Sequence, residues 1–369
     1  MRIAFVHDWL TGMRGGERVL EVLCERFPDA DVFTLLHVRG SVSPAIERHR
    51  IHTSLLQHLP GVRRYYRECL PLFPALVELF NLERFDLVLS SSHCVVKSVL
   101  TRPGSVHICY CHTPMRYAWD QFDAYFGRER LGRVGTRVMR PVMAGLARWD
   151  RDTAQRVDRY VTNSQHVAGR IRRYYNREAT VVHPPVNTDF FHPNSAAPER
   201  FALVVSALVP YKRLDLAIEA CRLAHVPLKI VGSGPDRARL ETRAGSNVDF
   251  LGRQSDEQIR EYYQRASLTL MTGEEDFGIV PVEAQACGRP VVALGRGGAC
   301  ETVVPGVTGI LVEEQTAEAF AGAIAQALER PFDPEAIRRH AERFGRARFG
   351  DEMAALIAST LESPGTATW

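Results

Sequence analysis

The amino-acid sequence predicts an α/β protein with two domains, each built on a doubly wound parallel sheet. Short runs rich in β-branched residues alternate with helical patterns along most of the chain, which is typical of parallel sheets with helices on both faces. The chain has 369 residues, more than one ordinary core accommodates. A stretch rich in Pro, Asn and Ser at 183–200 interrupts the alternation, which then starts again.

The elements follow in order from this alternation. In the first half, the β-rich runs that predict strands lie at 2–6, 31–35, 85–90, 106–110, 158–162 and 179–182. Helical patterns are found at 16–26, 63–80, 116–126, 129–155 and 164–175. In the second half, strands are predicted at 201–206, 227–231, 247–251, 267–271, 290–294 and 310–312. The helices there are expected at 211–223, 235–243, 256–265, 281–287, 316–329 and within 333–361.

The alternation indicates two Rossmann-like units that face one cleft. Ligands of such sheets bind beyond the carboxyl ends of the strands. We expect an N-terminal domain at 1–185, a linker at 186–200, a C-terminal domain at 201–345, and a helix and tail at 346–369.

Composition excludes several classes of protein. With 45% hydrophobic and 24% charged residues the chain is globular rather than disordered. Residues 1–10 do not resemble a secretory signal, and the longest apolar stretch, 69–80, falls short of the ~20 residues of a spanning helix. The eight cysteines form no CxxC pair, and no second zinc half-site accompanies "CYCH" at 109–112. We therefore expect a reduced, cytoplasmic protein without a metal site.

Charge is distributed unevenly between the two halves. Residues 1–180 hold 27 Lys and Arg against 18 Asp and Glu, whereas the remainder holds 19 against 25. Two basic stretches, 61–73 and 127–151, mix arginines with apolar side chains. They are either solvated helix faces or surfaces that rest on anionic lipid, and we hypothesise a peripheral membrane contact. No recognition-helix or RNP-like pattern is present, so nucleic acid is not an expected partner.

Two glycine-rich turns follow predicted strands and open helices, at 12–20 and 231–240. Gly15, Gly16 and Gly234 belong to them. Glycine at such a turn gives a phosphate room to approach the backbone, or it only satisfies the turn geometry. Neither turn has the GxGxxG spacing, and the sequence leaves both interpretations open.

A pair of basic residues, Lys212 and Arg213, is predicted in the first turn of a helix that begins near Tyr211. Cations are unfavourable at a helix N-terminus because the helix dipole is positive there. The chain has only three lysines, Lys97, Lys212 and Lys229. The pair therefore indicates a multiply charged anion, such as a diphosphate.

The segment "GEEDFGIVPVEAQACGRP" at 273–290 places two glutamates around a helix start. Pro281 is expected at the first helical position, which puts Glu283 near the third. Val280 offers no capping side chain, so the N–H groups near 278–280 need another acceptor, and a phosphate would serve. Glu283 would then accept hydrogen bonds from a ribose, while Glu275 reaches the sugar end of the ligand.

The segment "HTPMRYAWD" follows the strand at 106–110, where α/β proteins place their sites. His112 is either a structural, hydrogen-bonded histidine or a site residue. Arg116 and Tyr117 suit a sugar acceptor, although an amphipathic helix would also bury Tyr117. Asp8 and Trp9, at the end of the first strand, are further candidates for contact with the acceptor.

These segments together resemble the large retaining glycosyltransferase family four, which has the GT-B fold. The resemblance rests on "EEDFGIVPVEAQACGRPVVA", which is similar to the family's E-x7-E segment, and on "GGERVL", "VTNSQHVAGRI", "VVHPPVNTDFF", "LVPYKRLDLAIEA" and "VGSGPDRARL" in the family's order. "HTPMRYAWD" is similar to a branch of bacterial mannosyltransferases of O-antigen and exopolysaccharide assembly. The resemblance implies that the domain at 1–185 binds the acceptor, that the domain at 201–345 binds the nucleotide-sugar, and that a C-terminal helix packs back on the N-terminal domain. It also implies GDP-mannose as donor, with a UDP-sugar as the alternative.

The resemblance assigns roles to particular residues. Glu283 would hold the donor ribose, Glu275 the donor sugar, and Lys212 the diphosphate. The arginine that much of the family carries five residues before this lysine is Ala207 here, a charge that Arg213 would have to supply. His112 would lie by the sugar as a catalytic residue with Glu275. The donor site would comprise Gly15, Gly16, Lys212, Arg213, Gly234, Phe277, Gly278, Ile279 and Glu283.

The implied reaction is a metal-independent, retaining hexosyl transfer to a glycan or polyprenyl-diphosphate-linked acceptor. It needs no cofactor beyond the nucleotide-sugar co-substrate, and no Asp-x-Asp ends a predicted strand. A phosphorylase or an epimerase of the same fold is a rival enzyme class. A nucleotide-sugar-binding module without catalysis is the alternative from a different class.

Overall fold

The computed structural model describes residues 1–362, apart from the side chains at 124, 129 and 130. The tail at 363–369, part of the predicted C-terminal segment, lies outside the described residues. The described chain forms two compact units, 1–185 together with 349–362, and 186–348.

The first unit is built on a sheet of seven parallel strands. The strands are β1 Ile3–His7, β2 Asp31–Thr34, β3 Ile51–Thr53, β4 Leu87–Ser92, β5 Val106–Cys111, β6 Arg159–Thr162 and β7 Ala179–Val181. Their spatial order is β3-β2-β1-β4-β5-β6-β7. The helices are α1 Gly15–Arg26, α2 Pro44–Glu47, α3 Phe73–Glu78, α4 Arg116–Trp119, α5 Phe122–Phe126, α6 Arg128–Asp152 and α7 Gln165–Tyr175. The strand order changes direction between β1 and β4, which is the point where such sheets bind ligands.

The second unit repeats this topology with six parallel strands. These are β8 Ala202–Val205, β9 Leu228–Val231, β10 Val248–Gly252, β11 Leu268–Met271, β12 Val291–Leu294 and β13 Gly309–Val312. Their order is β10-β9-β8-β11-β12-β13, so the direction changes between β8 and β11. The helices are α8 Leu214–Leu223, α9 Arg237–Glu241, α10 Asp256–Arg265, α11 Ile279–Ala286, α12 Ala299–Thr302, α13 Ala317–Glu329 and α14 Pro334–Glu342.

Alternation along the strands of the first sheet builds a core on each face. Ala4 and Val6 belong to one hydrophobic cluster, and Phe5 belongs to the other, because successive side chains of a strand point to opposite faces. The final helix, α15 Arg346–Glu362, contributes Phe349 and Met353 to the cluster that contains Phe5. The predicted packing of the C-terminal helix on the N-terminal domain is confirmed.

Three local predictions differ from the structure. The helix predicted at 63–80 is a series of 3₁₀ turns followed by the short α3, because Pro71 and Pro74 interrupt helical hydrogen bonding. The helix at 129–155 is confirmed as α6, but Gly132 breaks it with φ 68°. In the predicted linker at 186–200, Val186 and Phe191 are buried in the core of the second unit.

No helix within residues 1–362 combines the length and apolar character that crossing a membrane requires.

Candidate functional site

In the second unit, Lys212 lies on the turn that follows β8. A 3₁₀ turn covers Pro210–Lys212, and Arg213 adopts the left-handed conformation, with φ 52°, as the N-cap of α8. The helix thus begins at Leu214, and the expectation that Lys212 and Arg213 lie in its first turn is wrong. The left-handed Arg213 redirects the chain before the helix starts, so Lys212 belongs to the preceding 3₁₀ turn and not to α8.

Lys212 forms an ion pair with Glu275, which lies on the loop after β11. Both side chains are mostly buried, with 17% and 18% of their surfaces exposed. Gly273 permits this approach, because a Cβ there would lie 2.7 Å from the Lys212 Cα. The Thr272 hydroxyl also donates to the backbone oxygens of Lys212 and Arg213, at 3.1 and 2.8 Å. The loops that follow β8 and β11, the two strands at the switch point, therefore pack directly against each other.

The Arg213 side chain is hydrogen-bonded to Asp215. Its Nε and Nη2 donate to the two carboxylate oxygens at 3.2 and 3.3 Å. A bidentate carboxylate partner neutralises a guanidinium effectively. If Arg213 is to supply the charge that the family's arginine would carry at Ala207, it must break its hydrogen bonds to Asp215 and form new ones to a phosphate.

Helix α11 begins earlier than the sequence indicates. Gly278 is its N-cap, with φ 89°, and Ile279, which is half-buried, is the first helical residue. Pro281 therefore occupies the third position and Glu283 lies in the second turn, so the predicted place of Glu283 near the third position is wrong. Only glycine adopts a φ of this size without strain, and Gly278 rather than Pro281 determines the start.

Glu283 is buried, with 8% of its surface exposed, and has an aromatic partner on α10. The Tyr263 hydroxyl donates to its Oε2 at 3.1 Å. Burial, together with the charge of Glu283, raises the pKa of Tyr263 well above its ordinary value, so the hydroxyl keeps its proton and remains a donor. The carboxylate is thus held in one orientation by a neutral donor.

Packing accounts for two residues that were predicted to contact the donor. The Phe277 ring is buried and lies edge-on to Phe344, with ring centroids 5.6 Å apart. A Cβ at Gly234 would lie 2.2 Å from the Leu208 carbonyl oxygen, so this glycine is required by two adjacent loops. The Phe277 side chain therefore belongs to the core. The geometry of the turn is sufficient to explain why residue 234 is a glycine.

Two glycines that sequence reasoning missed hold the Glu275 backbone. The Gly298 N–H donates to the backbone carbonyl oxygen of Glu275 at 2.8 Å, and a Cβ at Gly297 would lie 2.3 Å from the same carbonyl oxygen. The signal available in the sequence was the Gly-Gly pair after β12.

In the first unit, three side chains converge at the carboxyl ends of adjacent strands. His7 ends β1 and lies opposite Ser91 of β4, while His112 follows β5 directly. The Ser91 Oγ lies 3.0 Å from His7 Nδ1 and 2.8 Å from His112 Nε2. The two-residue period of the strands brings all three to the face that α1 covers.

The start of α1 lies against both imidazole rings. A Cβ on Gly16 would lie 3.3 Å from His7 Cε1 and 3.5 Å from His112 Nε2, so the glycine makes room for the two rings. Gly15 is the first residue of α1. The two rings therefore occupy the space beside Gly16, and the role of Gly15 and Gly16 at the diphosphate stays a prediction.

Charge around these rings is set by one glutamate and by burial. Glu17 accepts from the Arg14 N–H at 3.1 Å, and its Oε1 lies 3.9 Å from His7 Nε2. Burial acts to raise the pKa of Glu17, but His7, His93 and Arg14 bring it below its ordinary value. Burial, with His93 and His7, lowers the pKa of His112 well below its usual range, so its ring is neutral at neutral pH.

Asp8 is not available to an acceptor. It is fully buried, and its two oxygens accept four backbone N–H groups, from residues 93–96, at 2.7 to 3.2 Å. His93 Nδ1 lies 3.1 Å from the same carboxylate. The expectation of an acceptor contact by Asp8 is therefore wrong, because the carboxylate holds the turn after β4.

Trp9 and Tyr117 pack against one hydrophobic cluster of this unit. Trp9 has 8% of its surface exposed and meets Tyr66 edge-on at 5.4 Å. The Tyr117 hydroxyl donates to the Cys94 thiol at 2.6 Å, and burial raises the pKa of Tyr117. Arg116, which begins α4, is half-buried. These contacts give Trp9 and Tyr117 structural roles, while the acceptor interpretation of Arg116 stays a prediction.

Sequence reasoning missed His7, Glu17, Ser91 and His93. For His7, Ser91 and His93 the signal was polarity at the end of a buried run: β4 is fully buried yet ends in three serines, followed by His93. Glu17 lies in the first turn of α1 and did not carry this signal. Polar residues in a run otherwise typical of a central strand indicate hydrogen-bonding partners nearby.

Comparison with known proteins gives a family for each unit. Residues 13–190 match the family model described as Glycosyltransferase Family 4, and residues 186–346 match the model described as Glycosyl transferases group 1.

Two curated relatives match part of the chain. The D-inositol 3-phosphate glycosyltransferase of Mycolicibacterium smegmatis is 33% identical over 241 residues, which cover 58% of this chain and 55% of the relative. An uncharacterized glycosyltransferase of Methanocaldococcus jannaschii is 28% identical over 162 residues, which cover 42% of this chain and 46% of the relative. The matched segments span about half the length of these relatives.

Solved structures match over nearly the full length. HepE of Anabaena in complex with UDP has a TM-score of 0.71 at 19% identity, covering 97% of this chain and 100% of that one. The lipopolysaccharide outer core galactosyltransferase WaaB has a TM-score of 0.67 at 16% identity, covering 98% and 100%. At these identities the likeness shows the fold. Since the two family models together cover residues 13–346, the chain belongs to the GT-B glycosyltransferases, with a family four N-terminal unit and a group 1 C-terminal unit.

Proposed function

We propose that this chain transfers a hexose, mannose from GDP-mannose, with retention of configuration, to a hydroxyl of a lipid-linked or oligosaccharide acceptor in surface polysaccharide assembly. The observation that carries the proposal is the arrangement around α11. The Lys212–Glu275 pair lies on the loops at the switch point, and the buried Glu283 follows one turn into the helix. This provides a cation, helix N–H groups and an oriented carboxylate to bind a nucleoside diphosphate.

The proposed chemistry breaks the bond between the anomeric carbon and the diphosphate oxygen. Negative charge then develops on the leaving diphosphate, where Lys212 and the N–H groups at the start of α11 stabilise it. The acceptor oxygen bonds to the anomeric carbon on the same face, and its proton passes to the departing diphosphate. No metal ion or cofactor enters this scheme. Glu283 binds the ribose, and Glu275 and His112 contact the donor sugar.

The donor is supported by two different observations. The "HTPMRYAWD" segment resembles the mannosyltransferase branch and favours GDP-mannose. The alternative, a UDP-sugar, is supported by structural neighbours solved with UDP and with UDP-glucose. A binding module without catalysis is the remaining alternative.

Donor turnover tests the proposal. Purified protein is mixed with GDP-mannose, UDP-glucose, UDP-galactose or UDP-N-acetylglucosamine, with and without a chelator, and diphosphate release and heat of binding are followed. We expect selective, chelator-resistant use of GDP-mannose that Glu283→Ala abolishes. The control variant, Glu313→Ala, changes an exposed glutamate of the same unit and should behave as the wild type. Binding without turnover favours the binding module, and equal binding by Glu283→Ala contradicts the proposed site.

We also propose that the first unit contacts an anionic membrane surface peripherally, as a lipid-linked acceptor would require. Helix α6 exposes Leu131, Val134 and Val138, with 42%, 78% and 59% of their surfaces accessible. Val134 and Val138 lie four residues apart and so on one side of the helix, whereas Leu131 precedes the break at Gly132. Arg133 and Arg137 beside the two valines are exposed. No acidic residue occurs between 131 and 149. An apolar stripe flanked only by arginines suits anionic lipid.

Co-sedimentation with vesicles tests this contact. We expect binding to phosphatidylglycerol vesicles at low salt, weaker binding at high salt, and little binding to phosphatidylcholine. The double variant Val134→Glu with Val138→Glu should lose binding, while Leu223→Glu, at an exposed position of the second unit, should not. Failure of the wild type to sediment with anionic vesicles at low salt contradicts the contact.

A further inference from the structure

Four side chains form a continuous series at the carboxyl edge of the first sheet. Glu17 Oε1 lies 3.9 Å from His7 Nε2, His7 Nδ1 lies 3.0 Å from Ser91 Oγ, and Ser91 Oγ lies 2.8 Å from His112 Nε2. His7 and Ser91 are fully buried, and Glu17 is 3% exposed. Water therefore does not compete at these three residues, while His112, at the end of the series, is partly exposed.

The direction of these hydrogen bonds follows from the charge of the Glu17 carboxylate at one end of the series. His7 Nε2 is buried and makes no hydrogen bond to the described residues, but it faces the Glu17 carboxylate. A protonated Nε2 is attracted by that carboxylate, whereas a lone pair would be repelled. When Nε2 holds the single ring proton of His7, Nδ1 has a lone pair and accepts from the Ser91 hydroxyl. Because a serine hydroxyl has one proton, the Ser91 oxygen accepts from His112, whose Nε2 carries the hydrogen.

We infer that Ser91 and His7 are positioning residues that hold the His112 ring in the Nε2–H tautomer and leave the lone pair of Nδ1 for a ligand. This inference rests on the proposed function, because it assigns to His112 the role of a hydrogen-bond acceptor for a hydroxyl of the donor sugar. No described residue hydrogen-bonds to Nδ1 of His112. The backbone of His112 is held separately, since Asn163 donates to its carbonyl oxygen at 3.0 Å.

The tautomer is measurable without any substrate. Protein with ¹⁵N-labelled histidine is examined by two-bond ¹H–¹⁵N correlation near neutral pH, and the His112 signals are assigned by their absence in His112→Gln. We expect a protonated Nε2 and a bare Nδ1 in the wild type. In Ser91→Ala the two tautomers should both be populated, whereas Ser91→Thr, which keeps the hydroxyl, should retain one. A wild-type Nδ1–H tautomer, or an unchanged tautomer in Ser91→Ala, overturns the inference.

The chain offers a matched control on the opposite face of the same sheet. Ser90 Oγ lies 2.8 Å from His107 Nε2, and both residues are fully buried. Ser90→Ala therefore removes an equivalent buried serine–histidine hydrogen bond, and the His112 signals should not change. A change there of the size caused by Ser91→Ala would show a general loss of packing and would overturn the inference.

Kinetics with a turned-over donor give a second readout. Ser91→Ala should lower kcat by about tenfold or more, since a misplaced proton on His112 affects its transition-state contacts. Affinity for the free nucleoside diphosphate should stay at the wild-type value, because Lys212 and Glu283 lie in the other unit. A Ser91→Ala kcat equal to that of Ser91→Thr contradicts the inference. If no donor is turned over, the proposed function has failed, and the tautomer measurement still decides the inference.

Discussion

Lys212 and Glu275 form an ion pair that joins the loops after β8 and β11 in the C-terminal unit, with less than a fifth of either side chain exposed. The lysine that the resemblance assigns to the diphosphate thus has a carboxylate partner. An anionic ligand that binds Lys212 must share or replace this partner, and the loss of the pair opposes binding. The arrangement makes the two residues act in opposite directions on affinity for a nucleoside diphosphate.

Glu275→Gln is therefore expected to bind free GDP or UDP more tightly than the wild type. Removing this carboxylate takes away one competitor of the phosphate for the Lys212 charge, a gain of about 1 kcal/mol or about fivefold. Sugar transfer should nevertheless fall, since Glu275 is assigned to the donor sugar. Titration calorimetry checks the affinity, with Glu274→Gln, an exposed neighbour, as control. Weaker binding of the diphosphate by Glu275→Gln would contradict this competition.

The hydrogen bond between Tyr263 and Glu283 predicts a second effect on binding. If Glu283 accepts from the ribose hydroxyls, the wild type should bind the ribonucleoside diphosphate about tenfold more tightly than the 2′-deoxy form. Glu283→Ala should bind both equally weakly. Tyr263→Phe, which removes the donor at 3.1 Å, should show an intermediate loss. Equal affinity of the wild type for both nucleotides would exclude Glu283 from the ribose.

The sequence predicted the fold well because burial and periodicity are local signals. Every strand of both sheets except β3 Ile51–Thr53 was anticipated. β3 was missed because His52 separates its two β-branched residues, whereas the equally short β7 Ala179–Val181 belongs to the β-rich run ATVV. The helix predicted at 63–80 was wrong because Pro71 and Pro74 interrupt helical hydrogen bonding, although the apolar residues there have helical spacing. An element was thus predicted correctly where its own residues have a clear periodicity and no proline interrupts it.

The candidate site was less predictable because its contacts join distant segments. Asp8 looked accessible at the end of a strand, but the four N–H groups that occupy it come from residues 93–96. Glu283 was placed near the third helical position because Pro281 is a typical first residue, while Gly278 sets the start through its positive φ. Neither a long-range hydrogen bond nor a dihedral angle is visible in residue spacing.

Asp8→Asn should destabilise the N-terminal unit by about 3 kcal/mol. An amide has one acceptor oxygen and presents N–H groups to two backbone donors, which leaves buried polar groups unpaired. Trp9, Trp119 and Trp149 lie in this unit, so fluorescence during urea unfolding reports its stability. The control Asp351→Asn removes an exposed pair with Arg26 and should cost less than about 0.5 kcal/mol. Similar midpoints for both variants would refute the structural role of Asp8.

Gly234→Ala should disrupt the turn after β9 even though alanine is small. Its Cβ would lie 2.2 Å from the Leu208 oxygen and 2.6 Å from the Leu208 carbon, and backbone atoms cannot move aside as a side chain does. We expect a loss of about 2 kcal/mol or more, measured by scanning calorimetry. Gly322→Ala, in α13, where the new Cβ would meet no atom within 4 Å outside the backbone of its own helix and its chain neighbours, should stabilise the same unit by about 0.5–1 kcal/mol. A Gly234→Ala protein as stable as the wild type would mean that the two loops can separate.

His107 predicts how the stability of the N-terminal unit depends on pH. Its ring is fully buried, with Nε2 2.8 Å from Ser90 Oγ and Nδ1 2.9 Å from the Arg156 oxygen, and burial lowers its pKa from 6.5 to about 4. Between these values the unfolded chain binds a proton that the folded chain does not. Stability is therefore lost as pH falls from about 6.5 toward 4, by up to about 3 kcal/mol from this residue.

Other groups titrate in the same range, so the prediction concerns a difference between two proteins. Urea unfolding of the wild type and of His107→Gln is followed by tryptophan fluorescence from neutral pH to pH about 4.5. His107→Gln should be less stable at neutral pH, because the imidazole hydrogen bonds are imperfectly replaced. Its stability should then fall less steeply on acidification, since glutamine does not titrate. Parallel curves for the two proteins would show that His107 takes up its proton equally in the folded and unfolded states.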